Sequence, residues 1–113
     1  MNYSSEKQDD IFIETVNFKR ATSKEEEEFK TILSNQIEKG DKKIVIDLSK
    51  CEFMDSSFLG SIIFLFKKVS ELDGKMKFIV VHDDIKKLFE ITGVYKLFDV
   101  YESKKQALES FKD

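Results

Sequence analysis

A short polar loop, Met54 to Gly60 (MDSSFLG), carries the side chains of this 113-residue chain that are best suited to chemistry. Asp55, Ser56 and Ser57 follow the apolar run KIVIDL after a short connection and precede the apolar run SIIFLF. A carboxylate and two hydroxyls between a strand and a helix have four possible uses: a helix cap, a nucleophile, a phosphate cradle or a phosphorylation site. Asp55 or Ser56 is expected to cap the helix, because such side chains accept a hydrogen bond from a nearby backbone N–H.

The residues around Ser57 do not favour catalysis or nucleotide binding. Ser57 lacks the glycine-flanked turn of serine hydrolases, and no histidine stands where it would supply a base. The loop has no glycines before the helix and no following lysine, so neither a P-loop nor a dinucleotide fingerprint is present. Asp55, and Asp47 at the end of the preceding strand, would repel an anion. We therefore predict that the chain is not an enzyme and binds no cofactor.

The helix that begins at this loop has two faces when projected at about 100° per residue. The core face contains Phe58, Ile62, Leu65, Val69 and Leu72, with Leu59, Ile63 and Phe66 beside it. The opposite face contains Ser57, Gly60, Phe64, Lys67, Lys68 and Glu71, with Ser61 on the flank. A phosphate on the outward Ser57 would add about −1.5 to −2 charges close to Asp55. Phe64 is either an isolated exposed apolar residue or, beside the low surface of Gly60 and Ser61, a partner anchor.

The rest of the chain supplies strands and helices in alternation. IFIETV (11–16) predicts a strand with one solvated face, whereas KIVIDL (43–48) and KFIVV (77–81) predict strands covered on both faces. A polar start predicts a short edge strand, and LFDVY contains a final strand. Helices are predicted from a capping box of Ser23 and Glu26 to Gly40, from the polar loop to about Leu72, over DDIKKLFEITG, and from Ser103 onwards. This alternation predicts one α/β domain over residues 1–113, with a central mixed sheet that is largely parallel in its middle and about four helices.

Composition narrows the class of protein further. Hydrophobic residues at 41% and charged residues at 36% are typical of a folded domain rather than a disordered chain. A net charge of −3, with lysines spread along the chain, gives no basic stripe for nucleic acid. No apolar signal region or membrane-spanning run is visible, so we expect a soluble, cytoplasmic protein without direct membrane insertion. Cys51 and His82 are the only residues of their types, so we predict neither a disulfide nor a metal site.

These elements together resemble STAS domains, the family of bacterial anti-sigma factor antagonists and their relatives. The resemblance rests on the strand VIDLS, the Asp-Ser-Ser loop, the glycine turn before KFIVV, the segment LFEITGVYKLFDVY and the terminal SKKQALESF. It covers nearly the whole chain. The combination is specific, although Asp-Ser-Ser by itself would mean little.

The resemblance implies a regulatory role in sigma factor control through protein binding. In that family, a partner that is both anti-sigma factor and serine kinase phosphorylates the second hydroxyl residue after the aspartate, and a metal-dependent serine phosphatase removes the phosphate. By position, this implies that Ser57 is the phosphoacceptor and that Asp55 and Ser56 are the adjoining motif residues. The unmodified protein would bind the anti-sigma factor and free the sigma factor, whereas phosphorylation would break that complex. We expect the partner-binding face to include Gly60, Ser61, Phe64 and Asp47, and a homodimer is also compatible with the family.

Two features depart from the family pattern and leave a second hypothesis open. Phe58 stands where glycine usually follows the phosphoacceptor, although the helix projection turns this side chain toward the core. The segment NFKRAT lacks the usual Gly-x-Leu-Asp sequence before the first helix, so the first strands can be arranged differently. In the second hypothesis the chain is a constitutive STAS subunit of a transport or signalling assembly. Ser57 would then serve only as part of a cap, and Phe64 would anchor the partner.

Overall fold

The computed structural model describes residues 2–112 and shows strands alternating with helices. The strands are β1 Tyr3–Gln8, β2 Ile11–Val16, β3 Arg20–Ala21, β4 Lys43–Asp47, β5 Phe53–Met54, β6 Lys75–Ile79 and β7 Asp99–Tyr101. The helices are α1 Ser23–Glu38, α2 Ser56–Glu71, α3 Asp83–Thr92 and α4 Lys104–Glu109, and a turn of 3₁₀ helix, Val94–Lys96, precedes β7. The predicted order of elements is confirmed.

Five strands form the main sheet in the order β1–β2–β4–β6–β7. Edge strand β1 is antiparallel to β2, and every other pair of neighbours in this sheet is parallel. This arrangement confirms the predicted α/β class with a sheet that is parallel in its middle. The two-residue strands β3 and β5 form a separate parallel pair. Because these strands directly precede α1 and α2, their pairing brings the starts of both helices together.

Helices cover both faces of the main sheet. Apolar side chains of α1, α2 and α3 pack on one face in a single large core cluster. Ala107 of α4 packs on the other face, together with Ile11, Ile13, Val45 and Ile79. The predicted solvated face of β2 is therefore wrong, because α4 covers one side of this strand and the larger core covers the other. Even Glu14, a charged residue in the middle of β2, is fully buried.

The start of α1 lies one residue earlier than the sequence predicted. Thr22 is the N-cap, and it forms a capping box with Glu25 instead of the predicted Ser23 and Glu26. The physical reason is that β3 ends at Ala21, so the extended backbone continues for one residue only, to Thr22. The end of α1 is as predicted, because Gly40 follows the C-cap with a φ of 103°.

Two further boundaries also differ from the prediction. Strand β6 begins and ends two residues earlier than predicted, because its parallel register with β4 starts where Lys43 pairs with Lys75. Val81, the predicted last residue of that strand, is exposed. The predicted place of Leu72 on the core face of α2 is wrong, because Leu72 is the C-cap of that helix and is exposed.

Candidate functional site

The predicted Asp-Ser-Ser motif lies at the start of α2, directly after β5. Asp55 is the N-cap, and its Oδ1 accepts a hydrogen bond from the backbone N–H of Phe58 at 2.9 Å. Ser56 and Ser57 are the first two residues of the helix, and both are exposed. The structure thus confirms that a residue of this motif caps the helix, and it leaves both serine hydroxyls at the surface.

The second carboxylate oxygen of Asp55 binds a different helix. Oδ2 accepts a hydrogen bond from the backbone N–H of Ser23, the first residue of α1, at 2.9 Å. The backbone N–H of Asp55 also donates to the carbonyl of Ala21 at 3.0 Å, which extends the β3–β5 pairing. One carboxylate therefore satisfies N–H groups at the starts of two helices, where the helix dipoles favour negative charge. The sequence predicted that Asp55 or Ser56 caps the helix, and it gave no signal for the bond from Ser23 to Asp55.

Phe58 turns its ring into the core, as the helix projection predicted. The side chain is fully buried, with ring centroids 4.7 Å from Phe29 and 6.3 Å from Phe18. The aromatic residue that replaces the usual glycine therefore adds no bulk to the surface around Ser57.

The other predicted partner-binding residues of α2 divide between surface and core. Gly60 is exposed, and Phe64 is 48% exposed, with the Lys30 ammonium 4.5 Å from its ring centroid. Ser61 is only 4% exposed, so the structure does not place it on the predicted face. A residue on the flank of a helix is buried or exposed according to what packs beside it, and both α1 and β6 pack against α2. The exposed surface of the helix start thus consists of Ser56, Ser57, Gly60 and Phe64.

Asp47 is not joined to this surface by a hydrogen bond within residues 2–112. Its Oδ1 instead accepts a bond from the backbone N–H of Ser49 at 2.9 Å and so closes the turn after β4. A role of Asp47 in partner binding therefore stays a prediction.

An apolar patch that the sequence reasoning missed adjoins the loop. Phe53 is 40% exposed, and the Arg20 guanidinium lies 4.2 Å from its ring centroid. Ile91 of α3 is 77% exposed and lines a shallow cavity of about 260 Å³ together with Phe53 and Met54. The available signal was the run Phe53-Met54 immediately before Asp55, two large apolar residues in a short loop.

Cys51 and His82 are the remaining side chains that the sequence singled out as reactive. Burial raises the pKa of the Cys51 thiol, which has no exposed surface and donates to the carbonyl of Phe53 at 3.2 Å. His82 precedes α3 without a capping bond from its side chain. Across residues 2–112, no cluster of three or more His, Cys, Asp or Glu side chains is arranged to hold a metal ion. In the same range, no helix is long and apolar enough to cross a membrane.

The family model and the relatives that are similar in sequence agree with each other. A family model described as STAS domain matches residues 7–107. BtrV of Bordetella bronchiseptica, which is provisionally named an anti-sigma factor antagonist, is 26% identical over 86 residues, or 76% of this chain and 74% of BtrV. The anti-sigma-B factor antagonist of Staphylococcus aureus is 32% identical over 75 residues, or 66% of this chain and 69% of the relative.

The fold also matches a solved structure along almost its whole length. A crystal structure from Thermotoga maritima, provisionally described as an anti-sigma factor antagonist, superposes with a TM-score of 0.88 at 24% identity. The match covers 98% of this chain and 95% of that one. At this identity the likeness concerns the fold.

Proposed function

This chain belongs to the STAS domain family, and we propose that it is an anti-sigma factor antagonist whose partner binding is switched by phosphorylation of Ser57. The names of the Bordetella and Staphylococcus relatives support the antagonist role. The observation that carries the switch is the position of Ser57, which is exposed as the second residue of α2, two positions after the cap Asp55.

A phosphate on Ser57 is compatible with the folded domain. The side chain is exposed, so the modification removes nothing from the core. The first turn of a helix also favours negative charge, because its free N–H groups and the helix dipole are positive there. Repulsion from Asp55 is reduced, since both oxygens of that carboxylate already accept backbone N–H bonds. Phosphorylation would therefore change the surface rather than unfold the chain.

The same phosphate would weaken a complex formed through this surface. Ser56, Ser57, Gly60 and Phe64 at the start of α2 carry no charge themselves, and the Lys30 ammonium over Phe64 is the charge nearest to that ring. A phosphate brings about −1.5 to −2 charges into this surface, and a charge buried in an interface without a partner is costly. The unmodified chain would bind an anti-sigma factor and free the sigma factor, whereas the phosphorylated chain would release the anti-sigma factor.

The proposed switch also needs enzymes that add and remove the phosphate. In our proposal the anti-sigma factor is itself the serine kinase, and a metal-dependent serine phosphatase reverses the reaction. Access to Ser57 supports this step, because the ring of Phe58 is buried and adds no bulk to the surface that a kinase would approach.

A second candidate function is favoured by Phe64. In this alternative the chain is a constitutive subunit of a transport or signalling assembly and is not phosphorylated. A large aromatic ring that is 48% exposed, with the Lys30 ammonium 4.5 Å from its centroid, suits an anchor for a permanent partner.

Phosphopeptide mass spectrometry tests the proposed switch and separates the two candidates. The purified chain is incubated with ATP and a lysate of its own host, and wild type is compared with Ser57→Ala and with Ser70→Ala. Ser70 is a matched control because it is an exposed serine near the other end of α2. We expect phosphate on Ser57 in wild type and Ser70→Ala, and none at this position in Ser57→Ala. If Ser57 stays unmodified while an added control substrate is phosphorylated, the switch is wrong and the constitutive subunit is favoured.

A further inference from the structure

Three lysines lie side by side on the sheet face that α4 covers. Lys43 of β4 pairs directly with Lys75 of β6, and Lys77 lies two residues further along β6. All three point to the same face as Val45 and Ile79, because side chains alternate along a strand. Like charges directly opposite each other destabilise a sheet. This arrangement is therefore unfavourable unless negative charge offsets it.

The structure offsets little of this positive charge. Lys43 has an ion pair with Asp10 at 3.0 Å, but within residues 2–112 no carboxylate lies within 4.0 Å of the ammonium groups of Lys75 and Lys77. Lys77 is the stronger anomaly, because it is only 5% exposed. Its ammonium donates to the backbone carbonyl and hydroxyl of Ser110 at 3.0 and 2.9 Å and lies 4.5 Å from the ring centroid of Phe111. These neighbours are uncharged, and burying an ammonium is costly unless an opposite charge accompanies it.

Lys77, Ser110 and Phe111 line a cavity of about 340 Å³, and its lining is predominantly basic. The polar lining residues are Lys42, Lys43, Lys75, Lys77, Ser110 and Asp73, which makes four lysines against one aspartate, and one of these lysines, Lys43, also pairs with Asp10. The turn before β6 keeps Lys42 and Lys75, two residues at the rim of the cavity, close to each other. A Cβ at Gly74 would lie 2.7 Å from the carbonyl of Lys42, and the backbone N–H of Lys75 donates to that carbonyl at 2.7 Å.

We propose that this cavity binds a multivalent oxyanion of the phosphate class, with Lys77 as its innermost donor. An ammonium group has three N–H donors, and Ser110 takes two of them, so one donor of Lys77 is left for a ligand. Lys43 and Lys75 would bind the same anion from the rim. The site is separate from the phosphorylation switch, because it lies where β4 and β6 begin, whereas the Asp-Ser-Ser loop leads into α2 after β5.

Titration followed by amide NMR spectra tests this site on the full chain. Inorganic phosphate and pyrophosphate are added at constant ionic strength, with sodium chloride as the balancing salt. We expect saturable shifts at the amides of Lys43, Lys75 and Ser110, with tighter binding of pyrophosphate because it carries more charge. Lys77→Met should weaken binding about tenfold or more, as expected for the loss of a charged hydrogen bond.

Two further variants keep the test decisive. Lys75→Met removes an exposed lysine of the rim, so it should weaken binding even if Lys77→Met fails to fold. Lys67→Met is the matched control, because Lys67 is an exposed lysine of α2 outside the cavity lining, and it should bind as wild type does. Shifts that do not saturate, or equal affinity in Lys75→Met and Lys67→Met, would show adventitious binding to surface lysines and overturn the proposal.

Discussion

Asp55 and Ser23, which are 32 residues apart in the chain, are joined by a hydrogen bond of 2.9 Å between a carboxylate oxygen and a backbone N–H. The other oxygen of Asp55 caps α2 through Phe58. The residue that precedes the two serines of the motif thus fixes the starts of α1 and α2 relative to each other. It serves as a structural clamp as well as a motif residue.

Asp55→Ala should destabilise the chain more than loss of a single cap. An N-cap substitution costs about 0.5–2 kcal/mol, and this one also leaves the N–H of Ser23 without its acceptor, so we expect the upper end of that range or slightly more. Hydrogen exchange should show faster opening at the first turns of both α1 and α2. Asp47→Ala is the control, since its carboxylate accepts one loop N–H only. Faster exchange confined to α2 would contradict the clamp.

Substitutions at Thr22 and Ser23 distinguish the observed cap of α1 from the predicted one. Thr22→Ala should lower the free energy of unfolding by about 1 kcal/mol, because it removes the side-chain half of the capping box. Ser23→Ala should change it by less than about 0.5 kcal/mol, as is usual for exposed positions. Urea denaturation of both variants measures the difference. A larger loss for Ser23→Ala would show that the cap lies at Ser23.

Glu14→Gln should change how stability depends on pH. Burial raises the pKa of Glu14 above its ordinary value of 4.5, because the charged form is disfavoured inside the core. Its Oε2 is buried without a hydrogen-bond partner within residues 2–112. A group whose pKa is raised in the folded state stabilises it at low pH, and this contribution is lost as pH rises toward the folded-state pKa. The wild type should therefore lose stability relative to Glu14→Gln as the pH rises above about 4.5.

Melting temperatures between pH 4 and pH 8 measure this effect. Glu90→Gln is the control, because Glu90 is exposed, and its curve should run parallel to that of wild type. If the melting-temperature curve of Glu14→Gln is also parallel to that of wild type, the pKa of Glu14 is not raised in the folded chain and the prediction is wrong.

Phe58→Gly, which restores the glycine usual in the family, should destabilise this chain strongly. The substitution empties a fully buried site beside Phe29 and Phe18, and truncation of a buried phenylalanine costs about 3–5 kcal/mol. Glycine inside a helix adds about 1 kcal/mol. Phe58→Leu should cost clearly less, since it keeps most of the apolar volume. Equal midpoints of denaturation for the two variants would mean that the aromatic cluster contributes little.

The sequence predicted the elements whose patterns are local. The apolar run around Val45 and Ile46 in β4 and the helical spacing of Phe58, Ile62 and Leu65 in α2 are local signals, and both elements appear where those signals place them. The sequence did not predict which faces another element would cover. The solvated face expected for β2 is absent because α4, about 90 residues later in the chain, packs over Ile11 and Ile13.

The candidate site, too, could be predicted from the sequence only where the signal is local. Their position at the start of α2 indicates that Asp55 or Ser56 is the cap, and helix periodicity predicts the exposure of Ser57 and the burial of Phe58. The bond from Asp55 to Ser23 depends on the pairing of β3 with β5, two strands of two residues each that carry no pattern of their own. Ser61 lies on the flank of the helix projection, where a neighbouring helix decides between burial and exposure.

In the proposed switch, charge at Ser57 controls binding of an anti-sigma factor. A comparative pull-down tests this control most directly. Tagged wild type, Ser57→Asp and Ser70→Asp are incubated with a lysate of the host, and retained proteins are quantified by mass spectrometry. We predict that wild type and Ser70→Asp retain an anti-sigma factor with serine kinase activity. Ser57→Asp should retain at least about tenfold less of this anti-sigma factor than wild type does. Its melting temperature should stay within about 4 °C of that of wild type. Equal retention of that partner by folded Ser57→Asp and wild type would contradict the account.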